Sequence, residues 1–163
     1  MQPPHWLLRP SVTYAWLALT VITFSIAQWT GLAPQRAPSE AGRYLYTHSS
    51  PDDRIFVWGQ TSKMYLEAHR RPACRYIITA PLTGHIFGGE LPGVDTRNRI
   101  VPGAWENLQQ DFAKHPPTYI VDIQNDPKTA QDRITNFPIL AKLLKERYRP
   151  VARTAEGMIY RMR

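Results

Sequence analysis

The chain has 163 residues, 43% of them hydrophobic and 20% charged, with 20 basic side chains against 13 acidic ones for a formal charge of +7. That balance suits an anionic neighbour such as lipid headgroups, a polyprenyl phosphate or nucleic acid. The cations are scattered, with no Arg/Lys block, no zinc-finger spacing and no basic stripe along a helix, which argues against nucleic acid, and the lone Cys74 rules out an internal disulfide.

A short amino-terminal tail, residues 1–10, leads into a run without charge from Pro10 to Gln35, bounded by Arg9 and Arg36. Its apolar heart, Val12 to Trp29, spans roughly 27 Å as a helix, near the thickness of a hydrocarbon core. The spacing predicts a transmembrane helix over residues 11–30. Thr13, Thr20, Thr23 and Ser25 can bond back to their own helix, and Trp6, Tyr14, Trp16 and Trp29 lie near the ends, where amphipathic rings favour the interface. A buried soluble helix is one rival reading. A cleavable signal peptide is the other, with Ser25-Ile26-Ala27 as a small-x-small site before Gln28. Pro3-Pro4, the solitary Arg9 and Trp29 just past the cut argue against cleavage, and the lysine and arginine count on the two sides leaves orientation open.

Residues 31–50 read as a linker and a juxtamembrane helix, capped by Ser39, whose apolar side is Ala41, Tyr44, Leu45 and His48. Residues 51–163 then suit one soluble α/β domain. A turn at Ser49-Ser50-Pro51 precedes a buried strand, Ile55 to Trp58, stopped by Gly59. Asp52-Asp53 fits that turn better than it fits a catalytic acid pair. A helix opening at Thr61 or Ser62 turns Met64, Tyr65 and Ala68 inward, with Pro72 beyond its end. Gly59-Gln60-Thr61-Ser62-Lys63 lacks the glycine pattern of a phosphate loop and reads as a plain turn.

Tyr76 to Thr79 is the next expected buried strand, with Cys74 beside it as an inert core thiol. Pro81 to Gly103 is too long for a plain connection, and loops of that length are usually functional or disordered. Trp105, Leu108 and Phe112 mark a third helix, closed by Pro116-Pro117, and Tyr119 to Ile123 a third strand. Asn136 is the expected cap of a fourth helix carrying Leu140, Leu143 and Leu144, with Lys145 and Arg147 in its last turn. Residues 150–153 and 158–161 flank Thr154-Ala155-Glu156-Gly157 as an antiparallel hairpin, with Gly157 available for a left-handed position. The fold class is therefore α/β: one amino-terminal transmembrane helix, then a small three-layer domain with a mainly parallel sheet and a carboxy-terminal antiparallel hairpin.

The five histidines stand singly, with no paired spacing for zinc, and no nucleophile and base can be matched by spacing. No catalytic, metal or cofactor site is expected. The candidate contact residues are His85, Asp95, Arg97 and Arg99 in the long loop, which leaves the carboxyl end of the second expected strand, where a doubly wound sheet takes its ligands. Arginine's bidentate fork suits a phosphate there.

Several stretches together resemble a known family. Asp53 to Gly59 matches a D-x-I-x-V-W-G strand, Arg70 to Tyr76 an R-x-P-A-x-R-Y entry, Pro116 to Val121 a P-P-x-Y-I-V strand, and Tyr148 to Arg163 a closing Y…G…Y-R hairpin. As a set they resemble the carboxy-terminal region of bacterial polytopic glycosyltransferases, the dolichyl-phosphate-mannose-protein mannosyltransferase-like enzymes of family 39 and their aminoarabinose-transferase relatives, over about Ser11 to Arg163. The resemblance implies a GT-C enzyme of the bacterial inner membrane, moving a sugar from a polyprenyl-phosphate carrier on the extracytoplasmic side. The family's catalytic acids lie in an amino-terminal loop without counterpart here. What the resemblance implies for this chain is thus a non-catalytic last membrane helix and soluble domain, partnered by membrane lipid, the polyprenyl-phosphate sugar and the remainder of a transferase. The alternative is a single-pass anchored binding or scaffolding module in envelope glycan assembly.

Overall fold

The structure, a computed structural model, describes residues 10–29, 37–85, 94–124 and 132–163, in two compact units, Met1–Ala37 and Pro38–Arg163. In the first unit, α1 (Pro10–Trp29) runs for 20 residues. Pro10 at its start gives up an N–H that a first turn leaves unbonded anyway. Thr20 and Thr23 donate their hydroxyls back to Trp16 O and Leu19 O, both at 2.8 Å, so the polar side chains spend their donors inside the helix. Leu17, Val21, Ile22 and Phe24 are all more than half exposed. The 18 residues from Pro10 to Ala27 are long and apolar enough to cross a membrane, and none of that stretch is buried within the protein.

The second unit is an α/β domain. Its elements are α2 (Glu40–His48), β1 (Arg54–Trp58), α3 (Lys63–Ala68), β2 (Arg71–Pro72), α4 (Ala80–Thr83), α5 (Ala104–Lys114), β3 (Tyr119–Ile123), α6 (Pro138–Arg147), β4 (Tyr148–Arg153) and β5 (Gly157–Met162), with short 3-10 turns at Arg97–Arg99 and Ile134–Asn136. The strands form one mixed sheet in the order β2-β1-β3-β5-β4. Parallel pairing joins β1 to β2 and β3; antiparallel pairing joins β5 to β3 and β4.

Side chains alternate across each strand, and each face of the sheet has its own core. Phe56, Trp58 and Ile120 face Leu82, Leu108, Ile134, Leu140 and Leu144, under α4, α5 and α6. Ile55, Val57, Tyr119, Val121 and Ile159 face Ala41, Leu45, Met64, Tyr65 and Ala68, under α2 and α3. The result is three layers, with α2 inside the domain's compact unit. Ser39 caps α2 as expected, its hydroxyl accepting from Gly42 N at 3.0 Å. Asp53 serves the turn before β1, accepting from Ser50 N at 2.8 Å and from the Thr118 hydroxyl at 2.9 Å.

Three sequence expectations change. The strand expected at Tyr76 to Thr79 is absent: the edge strand is only Arg71–Pro72. Its ladder ends where Ala73 N donates to Ile55 O at 2.9 Å; the chain then turns under the core, and Ile77 is left 46% exposed. Asn136 does not cap the fourth helix, since it lies in a 3-10 turn and Phe137 precedes the helix without a side-chain cap. Pro138 sets that start instead, through its fixed φ and missing N–H. Gly157 is not left-handed: its φ of 159° is nearly extended. What requires glycine is contact, because a Cβ would stand 1.9 Å from Asp122 O of β3.

Candidate functional site

The carboxyl ends of β1 and β3 lie side by side in register, Trp58 opposite Asp122. A parallel sheet gathers its crossovers there, so this end holds the molecule's concentration of buried polar groups. Asp122 is fully buried. One carboxylate oxygen accepts from Gln124 Nε2 at 2.6 Å and the other from Ile134 N at 3.3 Å. Burial nonetheless outweighs these bonds and raises its pKa above the usual carboxylate range. The Trp58 indole N–H donates to the backbone oxygen of Asp132, whose carboxylate meets His85 Nδ1 at 2.9 Å. Burial raises the Asp132 pKa too, against the opposing pull of neighbouring His85. Trp58, Gln60, Thr79 and Asp132 line a cavity of only about 10 Å³, room for one water and no ligand.

The four residues nominated from sequence therefore do not converge. His85 is buried and spent on Asp132. Asp95 and Arg97 are exposed and pair with each other at 2.7 Å, the guanidinium holding the Asp95 carboxyl down to about 2. Arg99 lies two residues on in the same 3-10 turn, also exposed. The two described ends of the stretch are tied together: Thr96 donates its hydroxyl to Thr83 O at 2.6 Å. Gly84, left-handed at φ 73°, lies so close to Thr96 that a Cβ would stand 2.0 Å from its carbonyl oxygen. The part of the nominated loop from 86 to 93 lies outside the described residues.

A ligand-sized space opens beside this cluster instead. It is a groove of about 360 Å³ lined by Arg97, Ile100, Trp105, Asn136, Phe137, Pro138 and Ile139. Its wall is an aromatic stack: the Trp105 and Phe137 rings lie 5.5 Å apart and 26° from coplanar, and Trp58 backs Phe137 edge-on at 4.8 Å. A second groove of about 280 Å³ runs between α5 and α6 over Leu108 and Leu140, sharing Ile139 with the first. Both α5 and α6 begin at this end without a side-chain cap. The first groove's apolar floor with Arg97 at its rim suits an amphiphilic anion better than a free polar metabolite, while Lys142, Glu146 and Arg147 line the second.

Sequence reasoning reached Arg97 and missed Phe137. Its signal was present: aromatic residues stand at the starts of two successive helices, each following a long connection at the ligand-binding end of the sheet. Cys74 is buried and donates its thiol to Tyr76 O at 3.3 Å, and burial pushes its pKa up to about 12, an inert thiol as expected. Lys63 pairs with Glu67 at 2.9 Å, and Ser62 makes no cap bond, so the turn after Gly59 has no phosphate-loop geometry. No protein-family model, curated protein or solved structure matches the chain.

Proposed function

We propose that the chain is the carboxy-terminal membrane helix and extracytoplasmic soluble domain of a polyprenyl-phosphate-sugar-dependent glycosyltransferase of the bacterial inner membrane. Its own part is to hold and orient rather than to perform the transfer. The observation that carries this reading is the succession of an uncharged helix of membrane-crossing length and an α/β domain built from the very residues of the resemblance. Asp53 to Gly59 is β1 and its exit, Arg70 to Tyr76 holds β2 and its descent under the core, Tyr119 to Val121 opens β3, and Tyr148 to Met162 is the hairpin. Asp122 is fully buried, and the cavity that Asp132 lines among the described residues is about 10 Å³, too small for a sugar, which supports assigning the acid chemistry to another part of the enzyme.

The full chain, tagged and expressed in its own host, tests this with a photoreactive polyprenyl-phosphate sugar. The chain purified alone in nanodiscs should release and transfer no sugar. In native membranes it should co-purify with a polytopic protein that the probe labels. Turnover by the chain alone, or the absence of any labelled polytopic partner, would overturn the reading. The exposed α5–α6 groove favours a second reading, an anchored binding or scaffolding module, which predicts label on the chain itself without such a partner.

A further inference from the structure

We propose that the Trp105–Phe137 groove is a membrane-docking face, in which an anionic phospholipid of the bilayer lays an acyl chain along Ile100, Trp105, Phe137 and Ile139 and sets its phosphate against Arg97. The first support is reach. Eight residues, 30–37, separate α1 from the compact unit that begins at Pro38. A linker of that length spans no more than about 30 Å even fully extended, so α1 in a bilayer keeps Pro38 within that distance of the lipid.

The second support is the surface itself. Ile139 is 44% exposed in the groove, and the segment that supplies Arg97 and Ile100 leaves Val94 40% and Val101 47% exposed. Aliphatic side chains in solvent beside a part-exposed aromatic stack match the composition of faces that bury shallowly in the headgroup region. The third support is charge. Arg97, Arg99, Arg133 and Lys142 are exposed on the segments around the groove, against Asp95, Glu106 and Glu146, the last 4.0 Å from Lys142, and α6 has no acid in its first turn. A surplus of arginine and lysine beside apolar side chains complements an anionic leaflet. A phosphate oxygen pair can take the place of the Asp95 carboxylate on the Arg97 fork. The inference needs only α1 in the bilayer and stands or falls apart from the transferase reading.

Hydrogen exchange of the full chain tests it, in nanodiscs of phosphatidylcholine alone and of phosphatidylcholine with phosphatidylglycerol. Amides of residues 94–101 and 134–140 should exchange roughly threefold slower or more with the anionic lipid, as a covered segment does. Ile139→Asp and Arg97→Gln should each remove most of that difference while β3 and β5 keep their protection. Val101→Asp serves as a second apolar variant should Ile139→Asp disturb the fold. Equal exchange in the two lipids overturns the proposal. So does anionic-lipid protection that survives both aspartate substitutions, which is general electrostatics, and so does equal protection by soluble glycerol phosphate, which makes the occupant a free phosphate ester.

Discussion

Trp58 joins three parts of the domain at one side chain. Its ring touches Phe56, Trp105 and Phe137, and its N–H reaches the backbone of Asp132 across 74 residues of sequence. At 1% exposure it is core, so Trp58→Ala should cost about 3–5 kcal/mol, read as a lower midpoint in denaturant by tryptophan fluorescence of the full chain in detergent. An unchanged midpoint would refute that packing. Asp122, opposite it, works against the fold at neutral pH. Its folded pKa is raised, so the native state holds the proton more tightly than the unfolded chain, and stability falls as pH rises from the unfolded value through the folded one. Asp122→Asn keeps an acceptor for Ile134 N without the buried charge. It should raise the melting temperature at pH 7, with the gain shrinking to nothing as pH falls below the carboxylate range. A gain that is the same at every pH would rule out the ionisation as its cause. Trp58's burial was legible because it ends a continuous apolar run; the burial of Asp122 was not, since it depends on Ile134 arriving from the next crossover.

At the scale of elements, α2 and the β4–β5 hairpin cap each other. Glu156 accepts from Glu40 N and Ala41 N, both at 3.1 Å, and Glu40 in return accepts from Ala155 N at 2.8 Å. Burial alone would raise the Glu156 pKa, but the Ala41 and Glu40 amides outweigh it and the net shift is downward. A carboxylate held low contributes stability above its unfolded pKa and loses it as pH falls through the folded one. Glu156→Ala should therefore cost about 1 kcal/mol at pH 7, as loss of a helix cap does, and nearly nothing in acid. Thermal melts of parent and variant at pH 7 and pH 3 check it; equal penalties at both would remove the charge from the explanation. No sequence rule for local caps finds this pair, because its partners stand about 115 positions apart. The local Ser39 cap, the β1 and β3 runs and the hairpin were legible because each rests on neighbours in sequence. The short edge strand was not, since a short run such as Tyr76 to Thr79 suits a strand and a packed loop equally. The groove was hidden for the same reason: Trp105 reads as one more core residue until Phe137 comes to stack on it.

For the whole molecule the decisive quantity is whether α1 enters a bilayer. The full chain should stay with membranes through a carbonate wash, and quantitative release would sink the anchor. An Arg at Leu19, near the middle of the span, adds about 2.5–3.5 kcal/mol to insertion, enough to move much of the chain to the soluble fraction. The soluble unit should keep its own fold in that fraction, because its two cores draw no residue from α1.

Strand order also governs how this domain leaves the ribosome. Of the five strands β5 is made last, yet it sits inside the sheet, and both β3 and β4 wait for it. Until residues 157–162 emerge, β3 shows nascent-chain neighbours an open ladder of N–H and C=O groups over a fully apolar face, the sort of edge that recruits strands from other chains. A stop between Ile123 and Gly157 thus leaves that edge open in an aggregation-prone product, and slow decoding of codons 157–162 prolongs the interval in which a holdase must shield it.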